Sequence, residues 1–190
     1  MIVNSPYLKP EWSKKIKEIF LNERKVILFD FFEQECYRKL KTEIKTLPFA
    51  KESNPLTHSY AHATLSPHLR QVFNSHEFLN CISLIINTKT TPVLLKMKAL
   101  CFSWKDYIIL HDENKEKLGI DIIVDCTEDW NEKAGGNVVY VDGKGNYSKI
   151  PVKENTLTIV KRHHHEQKFV QYVNHYAGPK KRYLVVGKLC

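Results

Sequence analysis

Apolar residues recur at helical spacing through the first half of the chain and predict three helical segments. The first stripe, with i, i+4, i+7, i+8 spacing, comprises Trp12, Ile16, Ile19 and Phe20. The second stripe ends before Pro48 and comprises Tyr37, Leu40, Ile44 and Leu47. A third, from Leu69 to Ile86, is interrupted at Asn74-Ser75, where Ser75 is a candidate N-cap. Such stripes are typical of helix faces that pack on a core.

The second half of the chain shows a different pattern, with short β-branched and aromatic runs separated by turn residues. These runs predict eight strands at Leu94–Phe102, Tyr107–Leu110, Ile120–Cys126, Asn137–Val141, Ser148–Ile150, Thr156–Val160, Phe169–Val173 and Tyr183–Val186. A further strand is predicted at Val26–Phe32, and the polar segment 51–67 is interpreted as a loop. Helices followed by strands indicate an α+β fold with helices backing a barrel or sandwich. We expect one domain, mainly helical over 1–92 and β-rich over 93–190.

The chain carries a formal net charge of +8, with 29 Lys and Arg against 21 Asp and Glu. A basic surface favours acidic partners such as nucleic acid, ribosomes or acidic proteins. The alternative is a solvated, lysine-rich surface, since no basic run is interleaved with a base-stacking aromatic motif. We expect no signal peptide and no membrane-spanning segment. The five cysteines lack CxxC spacing, which favours reduced thiols and a cytoplasmic location.

One stretch indicates metal chemistry, because an apolar run from Tyr107 ends in His111-Asp112-Glu113. Non-haem Fe(II) enzymes bind iron through two histidines and one carboxylate, leaving positions open for other ligands. His111 and Glu113 point the same way if the strand continues, since side chains alternate along a strand. The alternative is a polar exit from a strand. Motifs for nucleotide hydrolysis, dinucleotide binding and serine hydrolysis are absent.

The residues downstream of His111 carry a family resemblance. Trp130 precedes Gly135-Gly136, Pro151 precedes Asn155 and Leu157, and Arg182 opens the last apolar run. With these features the sequence resembles the prolyl-hydroxylase-like 2-oxoglutarate oxygenases, most closely the branch that acts on a ribosomal protein proline. The resemblance implies a double-stranded β-helix (jelly-roll or cupin-like) core that uses Fe(II) and 2-oxoglutarate.

The resemblance also implies roles for individual residues. His111 would be the proximal iron ligand, and Glu113, or else Asp112, would be the carboxylate ligand. Arg182 would bind the far carboxylate of 2-oxoglutarate, since a guanidinium pairs well with a carboxylate. Tyr107 is a possible second hydrogen-bond partner of this cosubstrate, or else a core residue.

The distal iron ligand departs from the family pattern, because counting from Asn155 places Lys168 where the family has histidine. An ammonium group offers no lone pair to a metal. A shorter loop could bring His165 into place, or His175 could reach the site from beyond the strand. Alternatively, the tract His163-His164-His165 is an exposed loop and the site has no distal histidine.

Two functions follow from these alternatives. The first is a 2-oxoglutarate- and Fe(II)-dependent dioxygenase that hydroxylates a protein side chain, with a prolyl residue as the substrate and a ribosome-associated protein as a candidate partner. The second is a catalytically degenerate binding protein on the same scaffold, which lacks a complete iron site. A nucleic-acid-binding function is a weaker third alternative, because it rests on charge alone.

Overall fold

The computed structural model describes residues 1–88, 94–109 and 119–189. Within these ranges the α-helices are α1 (Pro10–Glu23), α2 (Gln34–Thr46), α3 (Pro67–Phe73) and α4 (His76–Ile86). The predicted helices are therefore confirmed, and the break at Ser75 separates α3 from α4. The Ser75 hydroxyl caps α4 by accepting a hydrogen bond from the Phe78 N–H at 3.2 Å. No described helix has the length and apolar character that a membrane span requires.

The strands of the described residues form one continuous antiparallel sheet. They are β1 (Lys25–Leu28), β2 (Ala50–Asn54), β3 (His58–Thr64), β4 (Leu94–Phe102), β5 (Tyr107–Ile108), β6 (Ile120–Asp125), β7 (Val138–Val141), β8 (Tyr147–Lys149), β9 (Thr156–Lys161), β10 (Gln167–Val170) and β11 (Arg182–Leu189). Neighbours in the sheet follow the order β1-β9-β6-β11-β4-β3-β5-β10-β7-β8, and β2 pairs with β3.

This order folds the sheet into two facing halves. One half contains β9, β6, β11 and β4, and the other contains β5, β10, β7 and β8. Along the chain the strands cross from one half to the other, except at the β7–β8 hairpin. This is the strand order of a jelly roll, so the predicted α+β fold with a double-stranded β-helix core is confirmed.

Two apolar cores follow from the alternation of side chains along the strands. On β6, Ile122 and Val124 pack against the helical layer, together with residues such as Phe20 and Phe78. Ile123 points the other way and packs between the two halves of the sheet, among residues such as Tyr140. The second core is the barrel interior, and it is this space that positions the candidate site.

Two sequence expectations need correction. The segment 51–67 is not a loop, because β2 and β3 form a hairpin with Glu52 opposite Tyr60. The polar residues of this segment form no apolar pattern that would predict the hairpin. In the structure, β3 pairs through its backbone with β4 and β5. The predicted strand at Val26–Phe32 is shorter, since β1 ends at Leu28.

Asn155 joins the N-terminal segment to the barrel. Its side-chain oxygen accepts from the Phe32 N–H at 2.9 Å, and its amide donates to the Phe32 carbonyl at 3.0 Å. Asn155 has a φ of 52°, a left-handed conformation that asparagine tolerates better than most residues. The asparagine of the family pattern therefore has a structural role in this chain.

The exposed Glu128 pairs with two lysines of α2, and this contact gives a pH-dependent prediction. Lys45 and Lys41 contact Glu128 at 2.7 and 3.2 Å, and their hydrogen bonds lower the pKa of this carboxyl. A pKa lowered by folding contributes stability above the ordinary range of the carboxyl, and this contribution is lost as the pH falls. We expect Glu128→Gln to lower the free energy of unfolding by about 0.5 kcal/mol at pH 7 and by less at pH 3. Urea titrations at both pH values measure this, with Glu18→Gln on α1 as the control, and a larger loss at pH 3 contradicts it.

Candidate functional site

Two carboxylates lie on the inner face of a strand that is otherwise apolar. Asp121 and Asp125 share the face of Ile123 on β6, and they are 1% and 3% exposed. A buried carboxylate is costly unless it is paired, so each needs a partner inside the barrel. The structure gives each of them a cation from another part of the chain.

Asp121 is the centre of the first cluster. Its Oδ2 accepts from the Lys168 ammonium at 3.1 Å and from the Tyr140 hydroxyl at 2.8 Å, and the Arg162 Nε lies 3.4 Å away. Lys168 and Tyr140 face each other across the β10–β7 pair. Because both side chains reach a buried residue of the opposite half, both point into the barrel.

By the count from Asn155, Lys168 falls where the family resemblance implies a distal histidine. Its ammonium cannot bind a metal, and here it makes an ion pair with Asp121. Elsewhere in the described ranges, no group of three His, Cys, Asp or Glu side chains is placed to hold a metal ion. The described donors around Lys168 therefore do not fit an iron ion.

The two alternative distal ligands lie on the surface. His165 is exposed in the turn after β9, where its φ of 65° is left-handed. His175 is exposed in a short 3-10 turn, with its ring 4.3 Å from that of Tyr176. Neither is brought to Asp121 or Lys168 by a contact of the structure, so their role as ligands stays a prediction. His111, Asp112 and Glu113 lie outside the described residues.

Arg182 and Asp125 form the second cluster. Arg182 is 0% exposed, and its Nη2 donates to Asp125 Oδ2 at 3.0 Å. The Thr127 N–H donates to Asp125 Oδ1 at 2.9 Å. Burial raises the pKa of the Asp125 carboxyl, although the charge of Arg182 and the hydrogen bonds from Thr127 oppose this shift. Arg182 Nε and Nη1 are buried without a hydrogen-bond acceptor among the residues described, which suits an anion as an additional partner.

Within the W…GG pattern, Gly136 lies next to the Arg182 side chain. Trp130 Nε1 donates to the Gly135 carbonyl at 2.9 Å. Gly136 has a φ of 72°, and a Cβ there would lie 3.1 Å from the Val173 side chain and 3.3 Å from Trp130. Glycine is therefore required at 136 both by conformation and by close packing.

Tyr107 faces away from Arg182. Its neighbour Ile108 packs against the inner core, so the side chain of Tyr107 projects from the other face of β5. Its hydroxyl donates to the Pro55 carbonyl at 2.8 Å, and its ring lies 6.3 Å from that of Tyr172. The structure does not bring the two predicted cosubstrate residues together.

Sequence reasoning missed Asp121 and Asp125, although single acids in a run of Ile and Val are a recognisable signal of a buried polar role. It also missed a partner for His58 and His62. Both imidazoles lie 3.4 Å from Glu52, whose carboxylate also accepts from the Tyr60 hydroxyl at 2.9 Å. Burial, together with Glu52, raises the pKa of Tyr60 to about 12.

Comparison with protein families gives one match over most of the chain. A family described as "Oxoglutarate and iron-dependent oxygenase degradation C-term" matches residues 47–189. No curated protein matches the chain.

Solved structures show the same fold at low sequence identity. A 2OG-Fe(II) oxygenase-family oxidoreductase from Burkholderia pseudomallei is 11% identical with a TM-score of 0.75, over 93% of this chain and 90% of that one. A prolyl hydroxylase from Trichoplax adhaerens, in complex with a hypoxia inducible factor peptide, is 12% identical with a TM-score of 0.68, over 94% and 89%. A prolyl-4-hydroxylase from Pseudomonas putida is 10% identical with a TM-score of 0.63, over 93% and 97%. These likenesses show the fold of the chain.

Proposed function

The chain belongs to the family of oxoglutarate and iron-dependent oxygenase degradation C-terminal domains, and on that premise we propose that it binds a protein partner without oxidising it. The family is Fe(II)- and 2-oxoglutarate-dependent, and the structural relatives of the chain are 2-oxoglutarate-dependent oxygenases.

The observation that carries the proposal is the ion pair between Lys168 and Asp121. Lys168 supplies no lone pair where the family pattern has imidazole, and its charge would repel a divalent cation at short range. The pair also gives the buried Asp121 a cation of the protein's own. A barrel built in this way needs no metal to balance the charge of Asp121.

A protein partner is supported by the structural neighbour from Trichoplax adhaerens, which is a prolyl hydroxylase with a bound peptide. The net charge of +8 supports an acidic partner, and a ribosome-associated protein is one such candidate. A cytoplasmic location is supported by the free thiols of Cys36, Cys81, Cys101 and Cys126.

The second candidate is an active dioxygenase that hydroxylates a prolyl residue of a protein. Arg182 Nε and Nη1, which have no acceptor in the part of the chain that the structure describes, favour it, because they could donate to a carboxylate of 2-oxoglutarate. It further requires His111 and Glu113 as iron ligands, with His165 or His175 in the distal role. In the first candidate, Arg182 serves chiefly as the partner of Asp125.

Metal binding separates the two candidates. We expect the purified chain, titrated anaerobically with Fe(II) or with Mn(II) as its stand-in, to bind no stoichiometric metal and to form no succinate from 2-oxoglutarate. A triple variant, His163→Ala with His164→Ala and His165→Ala, controls for adventitious metal binding by the exposed tract. One equivalent of bound metal that is lost in His111→Ala, together with metal-dependent succinate formation, would establish the dioxygenase instead.

A variant tests whether Lys168 prevents the chain from binding a metal ion. Lys168→His restores an imidazole at the distal position and removes the ammonium. We expect this variant to bind Mn(II) measurably more tightly than the unmodified chain, and the gain to disappear on adding His111→Ala. No gain in a variant with an unchanged circular dichroism spectrum would show that Lys168 is not what prevents metal binding.

A further inference from the structure

Exposed apolar side chains concentrate on three chain segments beside β5. Trp104, Tyr172 and Tyr176 are 52%, 50% and 53% exposed. Large apolar groups clustered on a surface are typical of interaction sites. We call this surface the aromatic strip, and it comprises the half-buried Tyr107 and the exposed Leu56, Trp104, Ile109, Tyr172 and Tyr176.

Backbone hydrogen bonds hold the three segments together. The Lys105 N–H donates to the Val173 carbonyl at 2.8 Å, and the Val173 N–H donates to the Asp106 carbonyl at 2.8 Å. On the other side of β5, the Ile109 N–H donates to the Thr57 carbonyl at 2.9 Å. The strip is thus part of one connected surface, and a partner that binds it need not order separate loops.

Within the three segments, the exposed side chains that carry a charge are lysines. The Lys105 ammonium lies 4.5 Å from the centre of the Trp104 ring, and Lys180 and Lys181 are exposed beyond Tyr176. The carboxylate within these segments is Asp106, which is 1% exposed and is bonded to Lys51, Ser59 and the Ser103 N–H. Segments 54–57, 103–109 and 171–181 therefore present lysines and no exposed carboxylate.

We propose that the aromatic strip binds an acidic protein segment that carries apolar side chains. This inference rests on the proposed function and adds the place and the chemistry of the partner. An apolar centre with a charged rim is the usual anatomy of a protein interface, and the lysines complement a partner with carboxylates. The aliphatic side chains of Leu56 and Ile109 favour a protein over nucleic acid, since bases bind mainly by stacking on rings.

Fluorescence anisotropy with a labelled peptide that alternates Glu with Phe and Leu tests the inference. We expect saturable binding, weakened about tenfold by Trp104→Ala with Tyr172→Ala, a loss of about 1.4 kcal/mol. We expect a similar loss in Lys105→Glu with Lys180→Glu, and little binding of an all-glutamate peptide that lacks apolar groups.

The matched control lies on α1, where Trp12 is 46% exposed and the Lys15 ammonium is 5.5 Å from its ring. Trp12→Ala with Lys15→Glu removes the same chemistry elsewhere and should leave the affinity for the peptide unchanged. Equal affinity in the strip variants would overturn the strip as the binding surface while leaving the proposed function intact. Tighter binding of a uridine oligonucleotide that depends on the strip would assign the surface to nucleic acid instead. The metal titration is independent of each of these outcomes.

Discussion

Arg182→Met is expected to lower the free energy of unfolding by about 3–5 kcal/mol, because it leaves the carboxylate of Asp125 buried without its counter-charge. Both partners are almost wholly inaccessible to water, and the contact between them is 3.0 Å long. Methionine fills a similar volume, so the loss reports the charge rather than a cavity. Urea unfolding followed by circular dichroism measures it.

The control for this prediction removes both charges. Asp125→Asn alone leaves the Arg182 guanidinium buried, and it should also be destabilising. The double variant Asp125→Asn with Arg182→Met buries no unpaired charge, while the oxygen of the new side-chain amide can still accept from Thr127. We expect the double variant to be more stable than Arg182→Met alone, since a buried pair contributes little beyond offsetting its own desolvation. Additive losses would show that the two residues are not coupled.

The elements that the sequence predicted are those whose pattern is local. The stripes of α1, α2 and α4 follow from residues three and four positions apart, and β6 and β9 follow from short runs rich in β-branched residues. The hairpin of β2 and β3 could not be found in this way. In β3 the buried residues Tyr60 and Ala63 are three positions apart, which matches neither alternation nor an apolar run.

The residues of the candidate site likewise differ in whether the sequence could predict them. Counting from Asn155 placed Lys168 at the distal position, and the structure turns that side chain into the barrel. Its contact with Asp121 joins residues that are 47 positions apart in the sequence, and no spacing rule predicts such a contact. The same holds for Arg182 and Asp125, because the pairing of β11 with β6 brings them together. Sequence reasoning therefore found cations of the site and missed both carboxylates.

Asp121→Ala is expected to be the second strongly destabilising change, again by about 3–5 kcal/mol, because this carboxylate balances Lys168 and Arg162 inside the barrel. Lys168→Met should cost less, since Arg162 remains beside Asp121. Tyr140→Phe removes one neutral donor at 2.8 Å and should cost about 1 kcal/mol.

Urea unfolding of the three variants tests this order at low and high salt, and salt should change the differences little because buried pairs are weakly screened. If Lys168→Met were instead more stable than the unmodified chain, the ammonium would impose a net cost that Asp121 does not offset. Lys168 would then be retained for a contact with a partner rather than for the fold.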